Sequence, residues 1–168
     1  FAKPRLFVLD NIDPAMMNEI QDVIQLERTL FIVVTKSGGT PETLSEYMYF
    51  RNLCNNADLD PTEHFVFVTD PEKGFLRQVA NDEGIISFDV PLNVGGRFSV
   101  LTHVGLLPAR LIGIKVEKLI EGANAMKELF LSDNPGKNLP FKLATIQYLL
   151  AKKGKTMNVL TPYAQKLI

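Results

Sequence analysis

The sequence predicts an α/β fold, a parallel sheet with helices on both of its faces. Three observations predict it: short apolar runs that do not alternate with polar residues, segments of helical period between them, and Asp, Asn, Gly or Pro at the junctions. Leu6-Phe7-Val8-Leu9, closed by Asp10-Asn11, reads as a buried strand and turn. Asp13-Pro14 offers an N-cap and a first-turn proline, and Met16, Ile20, Val23 and Ile24 extend a helix to about Arg28. Leu30 to Val34 is the most hydrophobic run and is rich in β-branched residues, as expected of a central strand covered on both faces. A loop over 35–40 follows, and Pro41 opens a second helix through Leu53. His64 to Thr69 reads as a third strand. A helix around Phe75 to Ala80 then leads to a strand at Ile85 to Phe88. Past Gly95-Gly96-Arg97 the spacing predicts helices near Val116–Leu131 and Leu139–Lys152, with a last strand at Met157 to Leu160.

At 168 residues, 46% hydrophobic and 22% charged, the chain has the size and composition of one globular α/β domain. A net charge of −1 supplies no field for nucleic acid or an acidic membrane surface. No apolar run approaches the ~20 residues of a membrane span. Cys54 is the single cysteine, so no intrachain disulfide and no multi-cysteine metal site can form; it reads as a buried thiol. Phe1 opens almost directly into a strand-like run and Ile168 ends without a cap signal, so both ends are expected to be cuts within a longer protein.

The chemistry concentrates in two segments. In an open parallel sheet, ligands sit beyond the carboxyl ends of the strands. Thr35-Lys36-Ser37-Gly38-Gly39-Thr40 occupies such a position. Gly38 and Gly39 permit positive φ and a close approach of backbone to ligand. Thr35, Ser37 and Thr40 supply hydroxyls, and Thr40 before Pro41 makes an N-cap whose helix aims free amides and its positive end at the loop. Those features suit a phosphate, yet the segment fits an ordinary strand-to-helix turn equally well. It has neither P-loop nor dinucleotide spacing. The second segment is Asn93-Val94-Gly95-Gly96-Arg97-Phe98-Ser99. Its glycines allow a tight backbone path beneath a guanidinium that could bind phosphate or a developing oxyanion. Taken alone, it fits an exposed turn better.

Together the two segments resemble a known family. Thr35-Lys36-Ser37-Gly38-Gly39-Thr40-Pro41-Glu42-Thr43 is similar to the S-K-S-G-T-T-x-E-T loop of the glucose-6-phosphate (phosphoglucose) isomerases. Gly95-Gly96-Arg97-Phe98-Ser99, with Gly105-Leu106-Leu107-Pro108 after it, resembles their G-G-R-[FY]-S signature and its continuation. Val68-Thr69-Asp70-Pro71 and Lys153-Gly154-Lys155-Thr156 also fit. The resemblance implies a sugar isomerase (SIS) fold: a five-stranded parallel sheet in a three-layer αβα sandwich of flavodoxin-like, Rossmann-like type. Residues 1–168 would form one SIS domain of an enzyme that has two. It further implies interconversion of glucose 6-phosphate and fructose 6-phosphate in the cytoplasm by a homodimer, with no cofactor and no metal, and with neither nucleic acid nor membrane as partner.

By the matching motif, Thr35, Lys36, Ser37 and Thr40 would hold the phosphate, with Gly38 and Gly39 shaping the loop. Thr35 stands where Ser is commonest and Gly39 where Thr is commonest, so one possible donor is lost. Arg97 matches the active-site arginine, which would stabilise charge on an enediol or enediolate. That reaction also needs a general base. The resemblance assigns it to a glutamate, assisted by a ring-opening histidine and a lysine, in segments expected beyond Ile168. A Gly-Gly-Ser sugar loop is expected before Phe1. The 168-residue chain alone is therefore expected to bind sugar phosphate and to lack turnover. Glu42 reads as a favourable first-turn acid, and His64 and His103 as structural. A non-catalytic sugar-phosphate sensor would keep the loop without needing Arg97. An isomerase fused to transaldolase, or one acting on mannose 6-phosphate, would share both motifs.

Overall fold

The computed structural model describes residues 3–159 and 161. The chain divides into two compact units, residues 1–116 and 117–168.

The first unit is a mixed α/β structure around a parallel sheet. Its strands are β1 (Phe31–Thr35), β2 (Phe65–Thr69) and β3 (Ile86–Asp89), in that spatial order and hydrogen-bonded in register from Phe31 beside Phe65 and from Val66 beside Ile86. The helices are α1 (Pro14–Val23), α2 (Pro41–Asn56), the single turn α3 (Pro61–His64), α4 (Phe75–Glu83) and α5 (His103–Leu111). α2 and α3 carry the chain from β1 to β2, and α4 carries it from β2 to β3, as parallel pairing requires.

Period two decides which side chains of β2 meet the main core. Phe65 and Phe67 join Tyr47, Phe50 and Cys54 of α2 and Leu76 and Val79 of α4, while Val66 and Val68 are buried on the opposite face. The Tyr47 ring meets Phe65 and Phe67 edge-on at 5.3 and 5.2 Å, and Phe31 stacks on Phe65 at 5.0 Å. Cys54 is fully buried, as expected, and burial raises its thiol pKa.

Several expectations need correction. The described residues form three strands, not five. Leu6–Leu9 is irregular; it lines a cavity of about 950 Å³ whose other walls include Ile32 and Val34 of β1 and Pro108 of α5. A short apolar run is equally compatible with a strand or with irregular cover, and no strand forms where the β1 edge is not reached. The most apolar run is consequently an edge strand, and the fully buried centre is β2. The first helix stops at Val23, and Leu26–Arg28 forms a separate 3₁₀ turn. His64 ends α3 instead of opening β2.

The second unit contains α6 (Val116–Phe130) and α7 (Leu139–Lys152), close to the expected spans. Asn138 caps α7 by accepting from the Phe141 amide, and its own amide donates to the Phe130 and Ser132 carbonyls. Residues 157–159 are irregular where a strand was expected, and Leu160 lies outside the described residues. Among the described residues no helix is long and apolar enough to cross a membrane.

Candidate functional site

β1 delivers Thr35 to the carboxyl end of the sheet, and α2 departs six residues later at Pro41. Between them the three hydroxyls of the loop converge. Thr35 Oγ1 and Thr40 Oγ1 share a 2.6 Å hydrogen bond, and Ser37 Oγ lies 3.4 Å from each. The Gly39 amide also donates to Ser37 Oγ at 3.3 Å. Thr40 sits at the N-cap position, but its hydroxyl turns to Thr35 and caps no first-turn amide. The loop thus presents a cluster of oxygens bonded to one another beside an uncapped helix start, with Glu42 as its first-turn acid.

Gly38 and Gly39 differ. Gly38 takes φ +68°, whereas Gly39 has no positive φ and open space where a side chain would go. Gly38 is pressed against the turn that follows β2. A Cβ built on it would lie 3.0 Å from the Gly74 Cα and 3.1 Å from Thr69 Oγ1. The contact is reciprocal and tighter from the other side: Gly74, at φ +98°, would place a Cβ 2.5 Å from the Ser37 carbonyl oxygen. The Leu76 amide closes the junction by donating to the Gly38 carbonyl at 3.1 Å. Two backbones approach here at a distance only glycine allows.

The turn carrying Gly74 is itself held firmly. Asp70 accepts from the Glu72 and Lys73 amides at 2.9 and 3.1 Å, and the Glu72 bond above all holds its carboxyl below the usual carboxylate range. Arg77 donates to the Asp70 carbonyl, to Ser87 Oγ at 2.7 Å and to Asp89 Oδ1 at 2.6 Å, tying the turn to β3. Sequence reasoning singled out neither Gly74 nor Arg77 for this support. A lone glycine before a helix and a charged residue within one carry no signal of what lies across the sheet.

Arg97 lies in a 3₁₀ turn, Gly96–Phe98, closed by Phe98 N–H to the Gly95 carbonyl at 2.8 Å and by the buried Ser99 hydroxyl to the Gly96 carbonyl at 2.6 Å. Neither Gly95 nor Gly96 has positive φ, so the turn does not use the conformational freedom of its glycines. The Arg97 side chain is exposed and makes no hydrogen bond or ion pair among the described residues. What brings the two segments together is Lys36. Its ammonium donates to the Val94 carbonyl at 2.6 Å, across 58 positions of sequence, with the Leu92 carbonyl at 3.5 Å.

Both histidines bond backbone carbonyls. His64 Nδ1 bonds the Thr29 carbonyl and His103 Nδ1 the Asp89 carbonyl, both at 2.9 Å, and the His103 ring lies 5.1 Å from Phe88. No cluster of His, Cys, Asp and Glu suited to a metal ion occurs among the described residues.

Comparison with known proteins agrees with the family that the two segments resemble. The family model for phosphoglucose isomerase matches residues 2–168. The chain is 46% identical over 165 residues to the glucose-6-phosphate isomerase of Carboxydothermus hydrogenoformans, covering 98% of this chain and 36% of that protein. It is 41% identical over 169 residues to that of Rubrobacter xylanophilus, covering 98% and 38%. Among solved structures, a glucose-6-phosphate isomerase from Chlamydia trachomatis superposes with a TM-score of 0.72 at 33% identity, over 81% of this chain and 26% of that one. The chain therefore spans between about a quarter and two fifths of the length of these relatives.

Proposed function

This chain belongs to the phosphoglucose isomerase family, and we propose that it is the phosphate-holding SIS domain of a cytoplasmic glucose-6-phosphate isomerase. The observation that supports this most is the convergence of the Thr35, Ser37 and Thr40 hydroxyls at the uncapped start of α2, linked through Lys36 to the Arg97 segment. A phosphate entering the loop replaces hydroxyl–hydroxyl bonds with charge-assisted ones and meets the positive end of the helix. Thr35, Ser37 and Thr40 contribute their side chains, and Lys36, Gly38 and Gly39 contribute backbone.

Arg97 acts at the other end of the substrate. Aldose–ketose exchange removes a proton from the carbon beside the carbonyl and leaves negative charge on the enediolate oxygens. An exposed guanidinium with no hydrogen-bond or ion-pair partner among the described residues is free to take up that charge as it develops. The resemblance assigns the proton transfer itself to a glutamate, helped by a histidine and a lysine. None of the carboxylates in these 168 residues matches that motif, so the reaction requires parts of the enzyme outside them. The active form in this reading is a homodimer of the longer enzyme.

The test is kinetic, on the full-length enzyme that carries this segment. Thr40→Ala is expected to raise KM for glucose 6-phosphate and Ki for inorganic phosphate about tenfold with kcat little changed, the signature of lost uniform binding. Unchanged values of both would remove the phosphate role of the loop.

A further inference from the structure

We propose that Lys36 is a positioning residue for Arg97, its ammonium fastening the Arg97 segment to the phosphate loop instead of binding the phosphate. The inference rests on the phosphate-loop reading above and assigns a different task to one residue within it.

The bonding pattern of residues 91–99 carries it. Val94 N–H donates to Pro91, Phe98 N–H to Gly95, and Ser99 to Gly96, all within the segment. Thr102, next in line, donates through its hydroxyl to the Ser99 carbonyl. Among the described residues, the hydrogen bonds joining 91–99 to any distant part of the chain are those from Lys36. The 2.6 Å bond lands on Val94, immediately before the Gly95-Gly96 pair that has no side chains with which to anchor itself. Val90, one residue before the segment, is buried and its amide donates to the Thr69 carbonyl at 2.8 Å, which fixes where the segment leaves the sheet. Beyond that anchor, a charge-assisted bond from a loop already fixed against Gly74 sets where Arg97 stands relative to the phosphate. The loop hydroxyls meanwhile satisfy one another without the ammonium.

The consequence is a division of labour that kinetics can separate. A phosphate ligand would act on ground state and transition state alike. A residue aligning Arg97 acts where charge develops, and a displacement of about 1 Å at such a group costs on the order of a hundredfold.

The experiment uses the full-length enzyme and the variants Lys36→Met, Lys36→Arg, Arg97→Ala and Lys36→Met/Arg97→Ala, with inorganic phosphate as the probe of the loop. Lys36→Met is expected to lower kcat about tenfold or more while Ki for inorganic phosphate stays within about twofold. Lys36→Arg, which keeps a donor, is expected to recover part of kcat. Lys36→Met is expected to cost no further rate once Arg97 is gone, because the two act as a unit. A Ki raised about tenfold with kcat intact would make the ammonium a phosphate ligand and overturn the proposal. Unchanged kcat and Ki would overturn it as well. A phosphate Ki insensitive to Thr40→Ala would sink the loop's own role, whatever Lys36→Met does.

Discussion

The two halves of the candidate site are built in opposite ways. The loop of Thr35 to Thr40 springs from the sheet, and its Gly38 is sandwiched against Gly74 and Thr69, so its path is over-determined by packing. The segment from Pro91 to Ser99 leaves the sheet at the buried Val90, lies mostly exposed, folds on itself and is tied back across the site by Lys36. The contrast suits two tasks. Gripping a phosphate rewards a preorganised cradle. Presenting a guanidinium to charge that exists only in the transition state requires alignment above all, which a single tether can supply.

The comparison breaks most completely at Gly74. Gly74→Ala places a Cβ 2.5 Å from the Ser37 carbonyl oxygen at φ +98° and ψ 159°, a region of backbone conformation essentially reserved for glycine. Strain and overpacking together are expected to cost about 2–5 kcal/mol of stability, read from urea denaturation midpoints. If the protein survives, phosphate affinity should fall further than kcat, because the displaced atoms belong to the cradle. A Gly74→Ala protein of native stability and unchanged phosphate affinity would show that the cradle does not depend on this buttress.

The sequence makes one half of this contrast legible and conceals the other. Composition, apolar runs and punctuation placed α2, α4, α6, α7 and the three strands that form, because each carries its own periodicity or junction residues. Both chemical segments were visible because Gly, Ser, Thr and Arg cluster without interruption. Leu6–Leu9 misled because pairing depends on a neighbour, which is not a local property. The centrality of β2 over β1 is likewise a matter of sheet order, invisible in the greater hydrophobicity of the β1 run. Lys36 reads as a phosphate ligand from its place in the motif, and only the position of Val94 in space shows where its ammonium goes.

The cradle should also be the acid-sensitive half. The Asp70 turn beneath it is held by a carboxylate accepting two amides, with a pKa lowered on folding. A lowered folded pKa means the stabilisation is complete above the unfolded value of about 3.9 and is lost as pH falls through the folded value. Asp70→Asn keeps an acceptor but cannot titrate. It should be less stable than the parent at neutral pH, and that gap should close as the pH drops below about 3.9. Denaturation midpoints followed from pH 7 to strongly acid conditions check this. A gap independent of pH would mean the charge on Asp70 does not support the turn.

The smallest expected effect sits one residue from Gly38, the glycine pressed against the turn after β2. Gly39 has open space where a Cβ would go and no positive φ, so a side chain meets neither clash nor strain. The family loop that this segment resembles carries Thr at that position. Gly39→Thr should leave stability within about 0.5 kcal/mol. A hydroxyl added beside those of Ser37 and Thr40 contributes a net hydrogen bond of about 1 kcal/mol, so inorganic phosphate should bind about fivefold tighter. Because Arg97 is aligned separately, kcat should not follow. A rise in kcat matching the gain in affinity would show that grip and alignment are one function shared by both halves of the site.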